Sequence, residues 1–126
     1  MRIGKRLGER GSNMVEAAIV MPLLLLMMAM VADLGRAYFV SIMVIDAARE
    51  GARYGVTSQN ATQMCVRAMA AANPPSGVTL NCSADPGYGS GTPVRVTVSC
   101  NFPLIMGGLL GRPSIPISYS AAFRIR

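Results

Sequence analysis

The chain has 126 residues, of which 52% are hydrophobic, and its formal net charge is +6. This length accommodates one membrane anchor and one small domain, but not two domains with large cores. Because the sequence has no histidine, no paired catalytic carboxylates, no Gly-rich phosphate loop and no C-x-x-C motif, we expect no enzyme and no cofactor or metal site.

The positive charge is divided between two parts of the chain. Residues 1–11 carry a net charge of +3, and the rest of the chain carries the other +3. This division argues against a nucleic-acid partner. We call residues 1–11 the leader. Its basic residues instead predict that the N-terminus stays in the cytoplasm, with the first hydrophobic helix directed outwards.

The join between this leader and the apolar run that follows is the most informative feature. The leader ends at Gly11, Glu16 stands five positions later, and the segment from Ala17 to Ala32 has no charge. A carboxylate costs about 2.5–3.5 kcal/mol at the middle of a bilayer and less near its surface. This arrangement indicates processing and assembly, with membrane lipid and other proteins as the partners.

One long helix is predicted from about Asn13 to Tyr54. Asn13 offers an N-cap, Glu16 follows at capping-box spacing, and Gly55 offers a residue to end the helix. Such a helix is roughly 63 Å long, about twice the thickness of a bilayer core. We therefore expect its first half in lipid and its second half outside.

In the second half of this helix we expect a stripe of residues to face a protein core, namely Leu34, Tyr38, Ile42, Ile45 and Ala52. The small residues Ala47, Gly51 and Gly55 recur every four positions, which would let another backbone approach the helix closely. For this repeat we favour packing against the C-terminal part of the same chain over packing against a neighbouring subunit. Pro22 predicts a kink, either without a role or serving assembly.

Residues 56–126 predict a small α+β domain. A helix over 59–72 is stopped by Asn73-Pro74-Pro75, and three alternating runs predict strands at 78–82, 94–100 and 115–121, the last continuing to Phe123 and Ile125. The expected product is a three-stranded antiparallel meander with one face covered by the second helix and the end of the long helix. Pro116 predicts that the third strand is an edge strand.

Two connections join the predicted strands, a loop at 85–91 and a longer one at 103–114. Within the second, residues 104–110 are apolar. They would contact the membrane surface or a partner, or pack under the sheet, and we favour packing.

Three acidic and basic pairs recur at i,i+3 spacing along the helix, and they are Asp33 with Arg36, Asp46 with Arg49, and Glu50 with Arg53. Exposed pairs of this kind stabilise a helix by about 0.2–0.5 kcal/mol each. They therefore indicate either a solvated helix face with local ion pairs or contacts of Arg49 and Arg53 with acidic groups of a neighbouring subunit.

The three cysteines allow several pairings. In a simple hairpin Cys82 lies opposite roughly Arg95, several residues out of register with Cys100, and a disulfide needs Cα atoms within about 7 Å. We therefore expect a bridge between Cys65 and Cys82 with Cys100 free. A Cys65–Cys100 bridge and three buried thiols are the alternatives.

The N-terminal part resembles a known family. Gly11 followed by Glu16 and an apolar helix resembles a prepilin leader, and residues 15–17, 22–25, 33–37 and 47–54 resemble the TadE-like proteins, minor pseudopilins of the tight-adherence (Flp-type) pilus system. The resemblance implies a pilin-like fold and cleavage between Gly11 and Ser12 by a prepilin peptidase. It also implies partners among other pilins, pseudopilins and pilus assembly proteins. Ala17, where the major Flp pilins carry Tyr, points to a minor subunit.

On this interpretation the protein is a single-pass protein of the bacterial inner membrane. Its parts are a leader (1–11), a transmembrane and extended helix (12–55) and an extracytoplasmic domain (56–126). After cleavage Glu16 would pair with the new ammonium group on Ser12 of a neighbouring subunit, or it would serve only as a capping residue.

Two other functional classes stay open. An uncleaved signal-anchored protein would serve as an envelope scaffold or adhesin. A secreted binding domain would need signal cleavage near Ala32.

Overall fold

The computed structural model describes residues 5–89 and 91–124 of the chain. The helices are α1 (Lys5–Ser58), α2 (Ala61–Ala71) and α3 (Gly107–Leu110), and the strands are β1 (Leu80–Asp85), β2 (Pro93–Pro103) and β3 (Ser114–Arg124). The predicted α+β fold, with a long N-terminal helix, a second helix and a three-stranded antiparallel sheet, is confirmed. The first four residues of the predicted leader and Ile125 of the third predicted strand lie outside the described residues.

Helix α1 is longer than predicted at both ends. Asn13 does not cap it, because the helical backbone already begins at Lys5 and continues through Gly11. Gly55 does not end it either, since the helix continues to Ser58 and ends where Gln59 adopts a positive φ of 47°. Gly55 is needed inside the helix, where a Cβ would lie 2.6 Å from Val94 Cγ1 and from Met64 Cε.

The chain reverses within two residues between α1 and α2. The Asn60 side chain accepts hydrogen bonds from the backbone N–H groups of Thr62 and Gln63, at 3.1 and 3.3 Å, and so caps α2. The Tyr54 hydroxyl donates to Gln63 Oε1 at 2.7 Å, and the Arg67 guanidinium lies 5.1 Å from the centre of the Tyr54 ring. These contacts fix α2 along the end of α1.

The sheet is an antiparallel meander with β2 in the centre. β3 is an edge strand, as Pro116 predicted. The predicted register of β1 was wrong, because Asp85 and not Cys82 lies opposite Arg95. Cys82 instead pairs with Val98, because β1 extends to Asp85 and the two strands are paired as far as Asp85 and Arg95.

The core lies between one face of the sheet and the second half of α1 with α2. Alternate residues of β2 are buried, and they are Val94, Val96, Val98, Cys100 and Phe102. The helices contribute mainly small and β-branched side chains, among them Val40, Val44, Ala47, Ala48 and Ala52 from α1 and Met64 and Ala68 from α2. Within the described part of the chain, α1 and α2 thus cover one face of the sheet, as predicted.

The predicted core-facing stripe of α1 was wrong for its first three residues. Leu34 and Tyr38 are 70% and 71% exposed, and Ile42 is also exposed, whereas Val40 and Val44 are fully buried. The reason is size, because the small residues Ala47, Ala48, Gly51 and Ala52 allow close approach to α2 and the sheet, and that face of the helix continues back to Val40 and Val44. The larger apolar residues are left on another face.

β2 runs antiparallel to α1 along the second half of the helix. Val94 lies beside Gly55, Val96 beside Gly51, and the Phe102 ring beside Arg36, whose guanidinium is 5.1 Å from the ring centre. The connection after β2, predicted as a loop, contains the one-turn helix α3. This layout places that connection nearest the apolar half of α1.

Candidate processing and assembly site

The first half of α1 lies outside the folded domain. Every side chain from Gly11 to Leu25 is exposed. Among the described residues, α1 is the one helix long and apolar enough to cross a membrane, with a mean hydropathy of 2.3 over its most apolar window. This helix fits a single-pass membrane anchor.

Gly11 and Ser12 lie inside this exposed helix. No heavy atom of another part of the described chain would come within 4 Å of a Cβ at Gly11. The peptide bond between the two residues is therefore accessible from outside. Glycine costs about 1 kcal/mol relative to alanine in a helix, so Gly11 weakens the helix locally.

Glu16 is exposed and lies four residues after Ser12, one helical turn further along the same face. It accepts no hydrogen bond and forms no ion pair with any residue that the structure describes. A charged carboxylate in a segment of membrane length is costly unless it is paired or hydrated, so Glu16 needs either a partner from another molecule or water at the bilayer surface.

Arg49 and Arg53 lie one turn apart on the second half of α1, and both are exposed. They border an open groove together with Asp46, Glu50 and Phe123 of β3. Of the three predicted ion pairs, only Asp33–Arg36 lies within 4 Å. The guanidinium groups of Arg49 and Arg53 are thus free of local carboxylate partners within the part of the chain that the structure describes.

Sequence reasoning missed the role of Asp33, which was expected to form an exposed ion pair. Asp33 is 5% exposed, and its two carboxylate oxygens accept hydrogen bonds from the backbone N–H groups of Ile105 and Met106, each at 3.0 Å. Arg36 Nη1 approaches Asp33 Oδ1 to 3.4 Å. Asp33 therefore joins α1 to the connection after β2 at the point where the uncharged run ends.

The three cysteines lie in the folded domain, with Cys65 in α2, Cys82 in β1 and Cys100 in β2. The structure joins Cys65 of α2 to Cys82 of β1 in a disulfide, with Cα atoms 5.7 Å apart, and leaves Cys100 as a buried free thiol. Burial raises the pKa of the Cys100 thiol above its ordinary value. The bridge ties α2 to an edge strand of the sheet.

Comparison with known families gives a match for about one third of the chain, in its N-terminal part. Residues 11–53 match the family model of TadE-like proteins. No curated protein and no solved structure matches the chain significantly. The resemblance seen in the sequence is thereby confirmed over these residues, and it points to involvement in tight-adherence (Flp-type) pilus systems. The matched segment contains Gly11, Ser12, Glu16, Arg49 and Arg53.

Proposed function

We propose that this protein is a minor pseudopilin that takes part in assembly of a tight-adherence, Flp-type pilus. It is held in the bacterial inner membrane by α1 and cleaved between Gly11 and Ser12 by a prepilin peptidase. The observation that carries the proposal is the match of residues 11–53 to TadE-like proteins. That segment starts at the proposed cleavage site and covers the exposed helix and its continuation into the domain.

The distribution of charge and cysteines supports the proposed orientation. The leader holds Arg2, Lys5, Arg6 and Arg10 against Glu9, and basic residues beside a membrane segment are retained in the cytoplasm. The domain then lies outside the cytoplasm. A disulfide between Cys65 and Cys82 is stable in such a compartment and rare in the cytoplasm.

The surroundings of Gly11 suit a peptidase that works at the cytoplasmic face of the membrane. The bond to Ser12 is free of tertiary contacts, and glycine lowers the cost of unwinding the helix locally for cleavage. A small residue before the cut also fits a narrow binding site. These features make Gly11 the recognition residue and Ser12 the N-terminus of the cleaved protein.

The N-terminal sequence of the membrane-bound protein tests this proposal. Expression with the cognate prepilin peptidase should yield a chain that begins at Ser12, and Gly11→Leu should leave the precursor uncut. Gly35→Leu is the matched control, since Gly35 is also exposed in α1 with no atom near its Cβ position. It should be cleaved as the wild type is.

Each other result would point to a different function. A chain that retains Met1 in the presence of active peptidase would favour an uncleaved anchor serving as a scaffold or adhesin. A chain beginning at Asp33 would favour a secreted binding domain. Processing of Gly11→Leu at the normal rate would contradict the assignment of Gly11.

In this proposal Glu16 sets the register of helix packing in the assembled complex. Cleavage places an ammonium group on Ser12, and Glu16 lies one turn along the same face. When helices pack side by side in lipid, each carboxylate needs a counter-charge, and the neighbouring subunit's ammonium group supplies it. Loss of one member of a buried ion pair costs about 3–5 kcal/mol, because the other charge is left uncompensated.

Arg49 and Arg53 serve as contacts with acidic groups of a neighbouring subunit. Both are exposed, and neither lies within 4 Å of a described carboxylate. The double reversal Arg49→Glu/Arg53→Glu should abolish co-purification with other pilus subunits, without loss of the folded domain. The matched control is Arg95→Glu/Arg124→Glu, two exposed arginines of the sheet. Equal co-purification of both double variants would instead favour a solvated helix face.

A further inference from the structure

An apolar loop lies beside α1 at the level where the uncharged run ends. We define the apolar loop as residues 104–109, which connect β2 to α3 and include the first residues of α3. Its backbone N–H groups at Ile105 and Met106 bind the carboxylate of Asp33, the first charged residue after Ala32. The apolar loop therefore occupies the same level along the helix axis as the end of the membrane-length segment.

This loop presents large apolar side chains outwards. Ile105 and Leu109 are 63% and 69% exposed, whereas packing under the sheet would have buried both side chains. The packing that the sequence favoured for this loop was therefore wrong for these two side chains. Leu104 and Met106, by contrast, are half-buried against the domain.

Residues typical of a membrane surface occur at the same end of the domain as the apolar loop. Tyr38 and Phe39 of α1 are exposed and lie about 8–9 Å beyond Asp33 along the helix, where aromatic residues commonly mark the edge of a bilayer. Arg112, just after the loop, is exposed, and no acidic residue occurs anywhere after Asp85. Basic residues beside apolar ones favour contact with anionic lipid headgroups.

A cavity of about 210 Å³ also links the loop to the membrane segment. It lies between Met30, Asp33 and Leu34 of α1 on one side and Leu104 and Met106 on the other, and apart from the buried Asp33 its lining is apolar. Met30 belongs to the uncharged run, about 4–5 Å before Asp33 along the axis. The apolar surface thus continues without a break from the lipid-facing helix onto the loop.

We propose that the apolar loop is a second membrane contact, with Ile105 and Leu109 inserted into the extracytoplasmic surface of the same bilayer that α1 spans. This proposal rests on the proposed membrane anchoring by α1. Asp33 is a positioning residue, because its two hydrogen bonds hold the loop against the helix while its charge is kept away from lipid. The contact fixes the tilt and the depth of the domain above the membrane.

The absence of tryptophan from the sequence makes a direct test possible. The full chain is reconstituted in vesicles of phosphatidylethanolamine and phosphatidylglycerol, with single tryptophans introduced by Ile105→Trp, Tyr88→Trp or Leu24→Trp. Brominated lipids quench tryptophan that lies in the bilayer, and iodide quenches tryptophan in water. Tyr88 is 79% exposed in the loop between β1 and β2. The start of β2, at Val94, lies beside Gly55 and thus far along α1 from Asp33, so Tyr88 reports on water.

We expect brominated lipid to remove most of the emission of Ile105→Trp and Leu24→Trp, and none of that of Tyr88→Trp. If Leu24→Trp is quenched by lipid while Ile105→Trp responds only to iodide, the membrane contact of the loop is wrong and the anchoring stands. If brominated lipid does not quench Leu24→Trp either, the membrane anchoring by α1 is wrong, and the membrane contact of the loop is wrong as well. Protection of Ile105→Trp from both quenchers would indicate a protein interface and would overturn the lipid contact.

A second pair of variants tests the role of Asp33. In the Ile105→Trp background, Asp33→Ala should reduce quenching by brominated lipid and increase quenching by iodide, because the loop is released. Asp46→Ala, an exposed aspartate of the same helix, should change neither. Protection of the buried Cys100 thiol from alkylation shows that the domain remains folded in both. Unchanged lipid quenching in a folded Asp33→Ala protein would overturn the positioning role.

Discussion

The two halves of α1 are one continuous helix with two different partners. From Gly11 to Leu25 every residue is exposed, although most are apolar. From Val40 to Gly55 one face is fully buried, and it is built mainly of alanine, glycine and valine. Large apolar residues therefore mark the half that needs lipid or another helix, and small residues mark the half that packs within the chain.

This difference separates folding from assembly. The second half contributes to the core, so substitutions on its buried face are expected to reduce the free energy of unfolding of the domain. The first half contributes nothing to that core, so substitutions there are expected to leave domain stability unchanged and to affect processing or assembly.

The largest effect is expected from Phe102→Ala. Phe102 is fully buried where β2 meets α1, and removal of a buried phenylalanine side chain typically costs about 3–5 kcal/mol. Phe39→Ala is the matched control, because Phe39 is 61% exposed on α1. Urea unfolding of the full chain in mild detergent measures the difference, with alkylation of Cys100 as the probe. Equal destabilisation by both variants would contradict the assigned core.

Loss of the disulfide should have the next largest effect. The bridge joins Cys65 to Cys82, 17 positions apart in the sequence. A bridge at this separation stabilises the folded domain by about 3 kcal/mol, because it lowers the entropy of the unfolded chain. Cys65→Ser/Cys82→Ser should lower the urea midpoint, whereas Cys100→Ala should change it less. Peptide mapping without reductant should recover Cys65 linked to Cys82, and three free thiols would disprove the bridge.

Replacement of a glycine of α1 by alanine should change the free energy of unfolding in opposite directions at two positions, Gly51 and Gly35. At Gly51 a Cβ would lie 2.8 Å from Ala68 Cβ and 2.9 Å from the Met64 carbonyl oxygen, so Gly51→Ala overpacks the contact with α2 and should cost about 1–3 kcal/mol. At Gly35 a Cβ meets no atom within 4 Å, so Gly35→Ala should stabilise the helix by up to about 1 kcal/mol. Thermal unfolding of the two variants measures both effects. Equal melting temperatures would show that α2 moves aside at no cost.

The sequence predicted the architecture well because its signals are local. Alternation in β2, the stop at Asn73-Pro74-Pro75 and the small-residue repeat at Ala47, Gly51 and Gly55 each predict a structure without knowledge of distant residues. The intramolecular packing of that repeat is confirmed, since Gly51 and Gly55 contact α2 and β2.

The errors arose where the outcome depends on distant parts of the chain. The buried face of α1 is selected by contact with α2 and β2, so its own periodicity misidentified Leu34 and Tyr38 as core residues. The partner of Asp33 lies more than 70 residues away, and nothing near Asp33 in sequence indicates it. Apolar residues around an aspartate just outside a membrane segment are the one signal that would have suggested a buried carboxylate.

The smallest effect on stability is expected from Glu16→Gln, which removes a charge but keeps the shape and hydrogen-bonding capacity of the side chain. Glu16 contacts no other described side chain through a hydrogen bond or ion pair, so the free energy of unfolding of the domain should stay unchanged within error. On the proposed pairing of Glu16 with the neighbouring subunit's ammonium group on Ser12, assembly should nevertheless fail, because that group loses its counter-charge. Pilus production and co-purification with other subunits measure this effect, alongside urea unfolding.

Glu50→Gln is the matched control for that experiment, since Glu50 is an exposed glutamate of the same helix that likewise has no ion pair among the described residues. It should leave both stability and assembly as in the wild type. A loss of assembly in Glu16→Gln alone, at unchanged stability and with cleavage at Ser12 retained, would place the function of Glu16 between subunits. Normal pili from Glu16→Gln cells would contradict that role. The first half of α1 would then act as a membrane anchor in which the carboxylate has no assembly partner.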